Sequence, residues 1–168
     1  MTSLPSPGLL LAGVAALSGL ATGTWLFIRP SSAPTQPPVT TRLTALPSEI
    51  AILDGGTMRV RDSVIRLAGI TPVLRGQECR GGNGATQDCG VAAANALAAM
   101  VRNAATVECR VHGQDPMGRA LAVCSARGTE LNQALVRAGW ARADPDRGAM
   151  QATEAEARAA NRGLWAAR

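Results

Sequence analysis

The sequence has little of several residue types on which binding and catalysis commonly depend. All 17 basic residues are arginine, tyrosine is absent, and His112 is the one histidine among 168 residues. No Ser, Cys or Asp partner can be identified near His112, so we interpret it as a turn residue rather than a catalytic base. The net charge of +5 permits an acidic partner without requiring one, because a modest excess of arginine is usually a solvated face.

Charged residues are also missing from residues 8–28, which form an apolar stretch. At about 1.5 Å per residue, such a helix spans a hydrocarbon core of about 30 Å. The preceding tail, residues 1–7, lacks the basic start of a signal peptide, so we favour a transmembrane anchor over a signal peptide that is cleaved to give a secreted protein. Residues 29–47, rich in Pro, Ser and Thr, predict a linker, and residues 48–168 a folded domain.

The cysteines lack the closely spaced C-x2-C pairs that are typical of a four-cysteine zinc site. Cys79 and Cys89 flank a glycine-rich loop, whereas Cys109 and Cys124 end two strand-like runs that a turn connects. Four cysteines allow three pairings, and we favour the disulfides Cys79–Cys89 and Cys109–Cys124 over zinc or free thiols. Disulfides predict that the domain lies in the periplasm or the extracytoplasmic space. Arg29 alone favours the opposite orientation, which is a weak signal.

Alternating and helical patterns of apolar residues predict five strands and three helices in the domain. The predicted strands are 49–53, 57–61, 64–70, 106–111 and 120–124, and the predicted helices are 90–105, 129–139 with Thr129 as its cap, and 150–161. Strands interleaved with short helices in this way are typical of a β-rich α+β domain built as a small barrel with attached helices.

Five segments, in this order along the chain, resemble motifs of the staphylococcal nuclease (thermonuclease) family. They are Asp54–Thr57 (D-G-D-T in the family), Ile65–Ile70 (I-R-L-x-G-I), Asp115–Ala122 (D-x-Y-G-R-x-L-A), Leu131–Ala141 (L-N-x-x-L-V-x-x-G-x-A), and the C-terminal helix with Gly163–Trp165 at its end. Each motif is weak alone, but together they extend over about residues 49–165. The resemblance implies an OB-fold barrel of five strands with three helices, and the cysteines are similar to those of secreted family members.

The resemblance also implies a phosphodiester site. Family nucleases hydrolyse DNA and RNA with Ca²⁺, which two aspartates hold, while a glutamate activates water and two arginines bind the phosphate. At the matching positions the arginines are present as Arg66 and Arg119. The tyrosine before Gly-Arg is replaced by Met117, and no tyrosine follows Trp140.

The carboxylates of that site are absent. The two metal-binding aspartates correspond to Gly56 and Thr71, and the glutamate corresponds to Leu74, or to Val73 if the register shifts by one residue. Only Asp54 remains as an acidic candidate, whereas Ca²⁺ takes about six to eight oxygen ligands. Without a metal and a general base, little hydrolysis is expected, because each contributes a large factor to the rate.

We therefore expect a membrane-anchored pseudonuclease with a binding or scaffolding role and no cofactor. One alternative is an active nuclease with a rearranged site, which would need Ca²⁺. Glu78 and Asp88 could supply ligands in that case, but we interpret them as solvated loop charges. The other alternative is a non-catalytic binder of nucleic acid, phosphate or another polyanion.

The two arginines decide between these hypotheses. Arg66 and Arg119 either form an anion pocket together or pair with Asp54, Asp115 or a backbone carbonyl. The expected partners are thus the membrane, through residues 8–28, and, under the last alternative, nucleic acid or another polyanion.

Overall fold

The computed structural model describes residues 41–81 and 84–166. The tail 1–7, the predicted membrane segment 8–28 and most of the predicted linker lie outside these residues. None of the helices in the described part of the chain is long and apolar enough to cross a membrane.

Short strands dominate the described residues, and three α-helices accompany them. The strands are β1 (Thr41–Ala45), β2 (Ile50–Asp54), β3 (Thr57–Val60), β4 (Ser63–Leu67), β5 (Ile70–Pro72), β6 (Glu78–Arg80), β7 (Thr86–Asp88), β8 (Val107–Gln114), β9 (Ala120–Ala126), β10 (Thr129–Glu130) and β11 (Ala141–Ala143). The helices are α1 (Cys89–Arg102), α2 (Leu131–Arg137) and α3 (Gly148–Ala159), and 3-10 turns occur at Pro47–Glu49 and Gly163–Trp165.

One sheet contains most of these strands, in the order β1-β8-β9-β4-β3-β2, with β10 beside β9. Its pairs are antiparallel except for the parallel pair of β4 and β9. The strands at the two ends of this order, β1 and β2, are consecutive in the chain and are separated only by the turn Pro47–Glu49. The sheet is therefore curled, and the domain is β-rich α+β with three helices, as the sequence predicts. Two smaller sheets pair β5 with β11 and β6 with β7.

The inner face of the curled sheet forms the core together with α1 and α2. Ile65 and Leu67 of β4 and Met58 of β3 are completely or almost completely buried, as are Leu97 of α1 and Leu135 of α2. Burying each of these side chains contributes about 1.5–3 kcal/mol. Because side chains alternate along a strand, the residues between them, including the candidate Arg66, point to the outer face.

Both predicted disulfides are present, Cys79–Cys89 and Cys109–Cys124. Cys109 and Cys124 are directly opposed in the antiparallel pair of β8 and β9. Cys79 lies in β6 and Cys89 begins α1, so the other disulfide attaches the hairpin of β6 and β7 to the start of the helix.

Several details of the sequence prediction are wrong. Residues 41–45, predicted as linker, form β1 and pair along their whole length with β8. These five residues contain no proline, so their backbone N–H groups are free to pair. Thr129 does not cap α2, because it pairs with Ala126 in β10 and Glu130 occupies the cap position. His112 lies within β8, at an irregularity in its pairing, rather than in a turn.

Candidate functional site

The turn between β2 and β3 is closed by its own aspartate. The carboxylate oxygen Oδ1 of Asp54 accepts a hydrogen bond of 2.8 Å from the backbone N–H of Gly56. This is the local bond by which Asp commonly stabilises a turn. In the described residues Asp54 makes no ion pair with Arg66, so that possible pairing is not found.

The ring of Pro72 packs directly on Gly56. A Cβ atom built on Gly56 would lie 2.7 Å from Cβ and 2.9 Å from Cγ of Pro72. Real Cβ atoms essentially never approach another atom within 3.0 Å, so a side chain at this position requires Pro72 to move. With glycine at position 56 there is no carboxylate, and the ring of Pro72 fills the space that an aspartate side chain at this position would enter.

The second position of the expected metal site, Thr71, is occupied by a hydroxyl that already has a partner. Thr71 Oγ1 donates a hydrogen bond of 2.8 Å to Oδ1 of Asp144. Asp144 follows β11, which pairs with β5 so that Arg142 is directly opposite Thr71. The structure thus brings one carboxylate to this edge from 73 residues away. Sequence reasoning missed Asp144 because only the pairing of β5 with β11 reveals it.

At the third position, Leu74, it is the backbone that packs against α1. The backbone N–H of Leu74 donates to Oε1 of Gln77 at 2.6 Å, and its side chain is 49% exposed. A Cβ atom on Gly90, in the first turn of α1, would overlap the carbonyl group of Leu74, so the helix approaches this backbone as closely as glycine allows. Val73, the alternative position, is half-buried.

The two loop acids differ in role. Asp88 is the N-cap of α1, where it accepts hydrogen bonds of 2.9 Å from the backbone N–H groups of Val91 and Gly76. These bonds hold the pKa of Asp88 below its usual value. Glu78 is exposed in β6 and lines a cavity of about 230 Å³ beside Thr71. Asp88 is therefore a structural cap rather than a solvated charge.

The residues at this edge do not fit a calcium ion. Among the described residues, no group of three or more His, Cys, Asp or Glu side chains is placed to hold a metal ion. Ca²⁺ prefers about six to eight hard oxygen ligands. The carboxylates near this edge are Asp54, engaged in its own turn, Asp144, engaged by Thr71, and Glu78, exposed beside Thr71.

Arg66 lies on the outer face of the sheet, in the middle of β4. It is half-buried, directly opposite Thr57 on β3 and Leu121 on β9. Within the described residues its guanidinium group makes no hydrogen bond or ion pair. The neighbouring Thr57 is 2% exposed, and its Oγ1 also lacks a hydrogen-bond partner there. Arg66 therefore has N–H donors without a partner among the described residues, whereas the unpaired hydroxyl of Thr57 is buried.

Arg119 lies in the turn just before β9, and it has a partner. Its Nε donates a hydrogen bond of 2.6 Å to Asp115 Oδ2, and its backbone N–H donates to Oδ1 at 3.0 Å. Arg119 immediately precedes β9, whose residue Leu121 is directly opposite Arg66. The two arginines thus belong to neighbouring parts of the chain, but Arg119 pairs with Asp115 in its turn.

Partial burial raises the pKa of Asp115, but the hydrogen bonds to its carboxylate lower the pKa by more than burial raises it. These come from the backbone and guanidinium group of Arg119 and from the backbone N–H of Met117, and the net pKa lies below the usual value. The turn therefore holds a carboxylate that is ionised at neutral pH.

Asn132, at the start of α2, connects the end of β4 to the middle of β9. Its Nδ2 donates to the carbonyl oxygens of Ala68, at 2.8 Å, and Ala122, at 3.1 Å, and its Oδ1 accepts from the backbone N–H of Cys124. Asn132 is completely buried. It thereby sets the path of the chain from Arg66 to Thr71.

A protein-family model described as "Staphylococcal nuclease homologue" matches residues 64–167, more than half of the chain. The chain belongs to this family. The match begins at Val64, so it includes Arg66, Thr71, Leu74 and Arg119, whereas the turn from Asp54 to Thr57 precedes it. A search of curated proteins found no significant match.

Proposed function

We propose that this chain is a catalytically inactive member of the staphylococcal nuclease family, with an OB-type barrel that binds or scaffolds rather than hydrolyses. The observation that carries this proposal is the packing of Pro72 on Gly56, where a Cβ atom would lie 2.7 Å from the proline ring. A site that had only lost a carboxylate would keep an open space there. Here an apolar ring fills that space.

The chemistry of the neighbouring residues supports the same reading. Phosphodiester hydrolysis requires stabilisation of charge in the transition state, which a metal commonly supplies, and a base that takes a proton from water. Thr71 and Leu74 offer neither a metal ligand of sufficient charge nor a base.

The test is a cleavage assay with the purified full-length protein, single-stranded DNA and Ca²⁺, Mg²⁺ or Mn²⁺. We expect no cleavage above that of a blank that contains a chelator. Metal-dependent cleavage that disappears in the Arg66→Ala variant would show that the activity belongs to this chain. The proposal that the chain is catalytically inactive would then be wrong.

One observation favours an active, rearranged site as a competing function. Asp144 Oδ1 lies 2.8 Å from Thr71 Oγ1, so a carboxylate stands near the position of a missing metal ligand. In this case Asp144→Asn would remove cleavage, whereas Asp146→Asn, a change in the same loop, would leave it intact.

A different observation favours a non-catalytic binder of nucleic acid or another polyanion. The guanidinium group of Arg66 has no partner among the described residues. Arginine presents donors that match phosphate oxygens. Binding of single-stranded DNA without cleavage, weakened by salt and by Arg66→Gln, would support this function. Salt-independent binding would count against it.

We further propose that residues 8–28 anchor the chain in the membrane and that the domain faces the periplasm or the extracytoplasmic space. The two disulfides support this location, because disulfides persist in oxidising compartments. A reporter enzyme that folds only after export, fused after Arg168, should be active and should remain in the membrane fraction. An active reporter in the soluble fraction would instead indicate cleavage and secretion.

A further inference from the structure

A second cluster of positive charge lies in the groove between β11 and α3, where neither Arg66 nor Arg119 contributes. The groove contains a cavity of about 370 Å³. Arg142 comes from β11 and Arg158 from α3, and the remaining lining is Ala143, Pro145, Gln151, Glu154 and Ala155.

The carboxylate in this groove is already neutralised. Glu154 is 7% exposed. Its Oε2 accepts a hydrogen bond of 2.7 Å from the backbone N–H of Ala143, and its Oε1 accepts from Nε of Arg158 at 2.9 Å. Because the paired Arg158 balances the charge of Glu154, this carboxylate leaves the charge of Arg142 uncompensated.

Arg142 is the cation that remains available. Its side chain is exposed, and within the described residues it makes no hydrogen bond or ion pair. Its guanidinium carbon lies 5.6 Å from the centre of the Trp165 ring, and that of Arg158 lies 4.2 Å from it. Trp165 is 5% exposed, so a buried aromatic ring holds two guanidinium groups at the edge of one cavity.

We propose that this groove binds a small oxyanion, a carboxylate or phosphate group, with Arg142 as the principal donor and Arg158, whose charge Glu154 balances, as a neighbouring source of N–H groups. A guanidinium group without a carboxylate partner retains its full set of N–H donors, and its planar fork matches such an anion. The groove has a net charge of +1 from its three charged residues. The inference does not depend on whether the chain is an active nuclease.

The Trp165 indole is a natural reporter of this binding. With three tryptophans in the chain, its N–H resonance can be assigned in an NMR spectrum of the full-length protein by Trp25→Phe and Trp140→Phe variants. Inorganic phosphate and acetate would be titrated separately at constant ionic strength, set with chloride. We expect a saturable shift of the Trp165 indole resonance, with a midpoint in the millimolar range.

The variant Arg142→Gln removes the unpaired cation but leaves the pair of Arg158 and Glu154 intact, and binding should weaken at least about tenfold. Arg110→Gln, a change of an exposed arginine on β8, is the matched control and should leave the midpoint unchanged. A shift with phosphate alone would identify a phosphate site, and a shift with both anions a general oxyanion site. Absence of saturation with both anions, or an unchanged midpoint in a folded Arg142→Gln variant, would overturn the proposal.

Discussion

The two halves of the candidate site have diverged in opposite ways. The metal side (Gly56, Thr71 and Leu74) carries no carboxylate of its own, and its space is filled by the ring of Pro72 and by packing against α1. The arginine side (Arg66 and Arg119) has an arginine at both positions where the family pattern has one. A site whose halves had decayed together would show loss on both sides.

The difference between the two arginines explains part of this asymmetry. Arg119 closes its turn through Asp115, so structural stability alone can account for its presence. Arg66 has no such partner among the described residues, and a guanidinium group that is half-buried without a partner gains little stability. Arg66 is therefore the residue whose presence most favours an anionic ligand.

The largest expected effect is on the metal side, from Gly56→Asp alone. The new Cβ would meet the ring of Pro72, and the carboxylate would be placed in a buried position without a partner. We expect the free energy of unfolding to fall by about 3 kcal/mol, as measured by denaturant titration with the disulfides intact.

Gly148→Asp provides the matched control for that change. Gly148 is the first residue of α3, and a Cβ atom there has no neighbour within 4 Å. Asp in the first turn of a helix is favourable, so this variant should be as stable as the parent. If Gly56→Asp were equally well tolerated, the metal side would be open rather than filled.

A second experiment asks whether Pro72, rather than the missing charges, closes the metal side. The variant Gly56→Asp/Thr71→Asp/Leu74→Glu restores the carboxylates, and adding Pro72→Ala removes the ring. We expect calorimetry to detect Ca²⁺ binding at least about tenfold tighter with Pro72→Ala than without it. Equal Ca²⁺ affinity of the two variants would mean that charge alone had been lost.

The smallest expected effect is on stability at the arginine side, where its pH dependence should distinguish Arg119 from Arg66. Arg119→Gln removes the ion pair with Asp115, and we expect the melting temperature at pH 7 to fall by a few degrees. Because the pKa of Asp115 is lowered in the folded state, its stabilisation is present above the unfolded pKa and is lost as the pH falls through the folded pKa. The difference between parent and variant should therefore shrink below about pH 4.

Arg66→Gln is the comparison for this measurement. It should change the free energy of unfolding by less than about 0.5 kcal/mol at either pH. A pH-dependent loss in Arg66→Gln as large as that in Arg119→Gln would show that Arg66 also has a structural partner, and the contrast between the two arginines would disappear.

Several elements of the fold follow from local patterns in the sequence. The alternation of Met58 and Val60 predicts a half-buried strand, and the period of Leu97 and Val101 predicts α1, because each pattern expresses the geometry of a single element. The strands β5, β6, β7, β10 and β11 have no such pattern, because two or three residues are too few to show an alternation. Their existence depends on partners that are distant along the chain.

The sequence by itself indicated the family and the two disulfide pairs that the structure contains. It also led to the expectation that Gly56, Thr71 and Leu74 stand where the family has carboxylates. These inferences come from residue type and spacing, whereas only the tertiary structure decided what those three positions contact. The contact of Pro72 with Gly56, the bond from Thr71 to Asp144, and the approach of Arg142 and Arg158 to Trp165 all join residues from different elements. Side chains meet there because strands pair and helices pack, and such contacts have no signature in the spacing of residues along the chain.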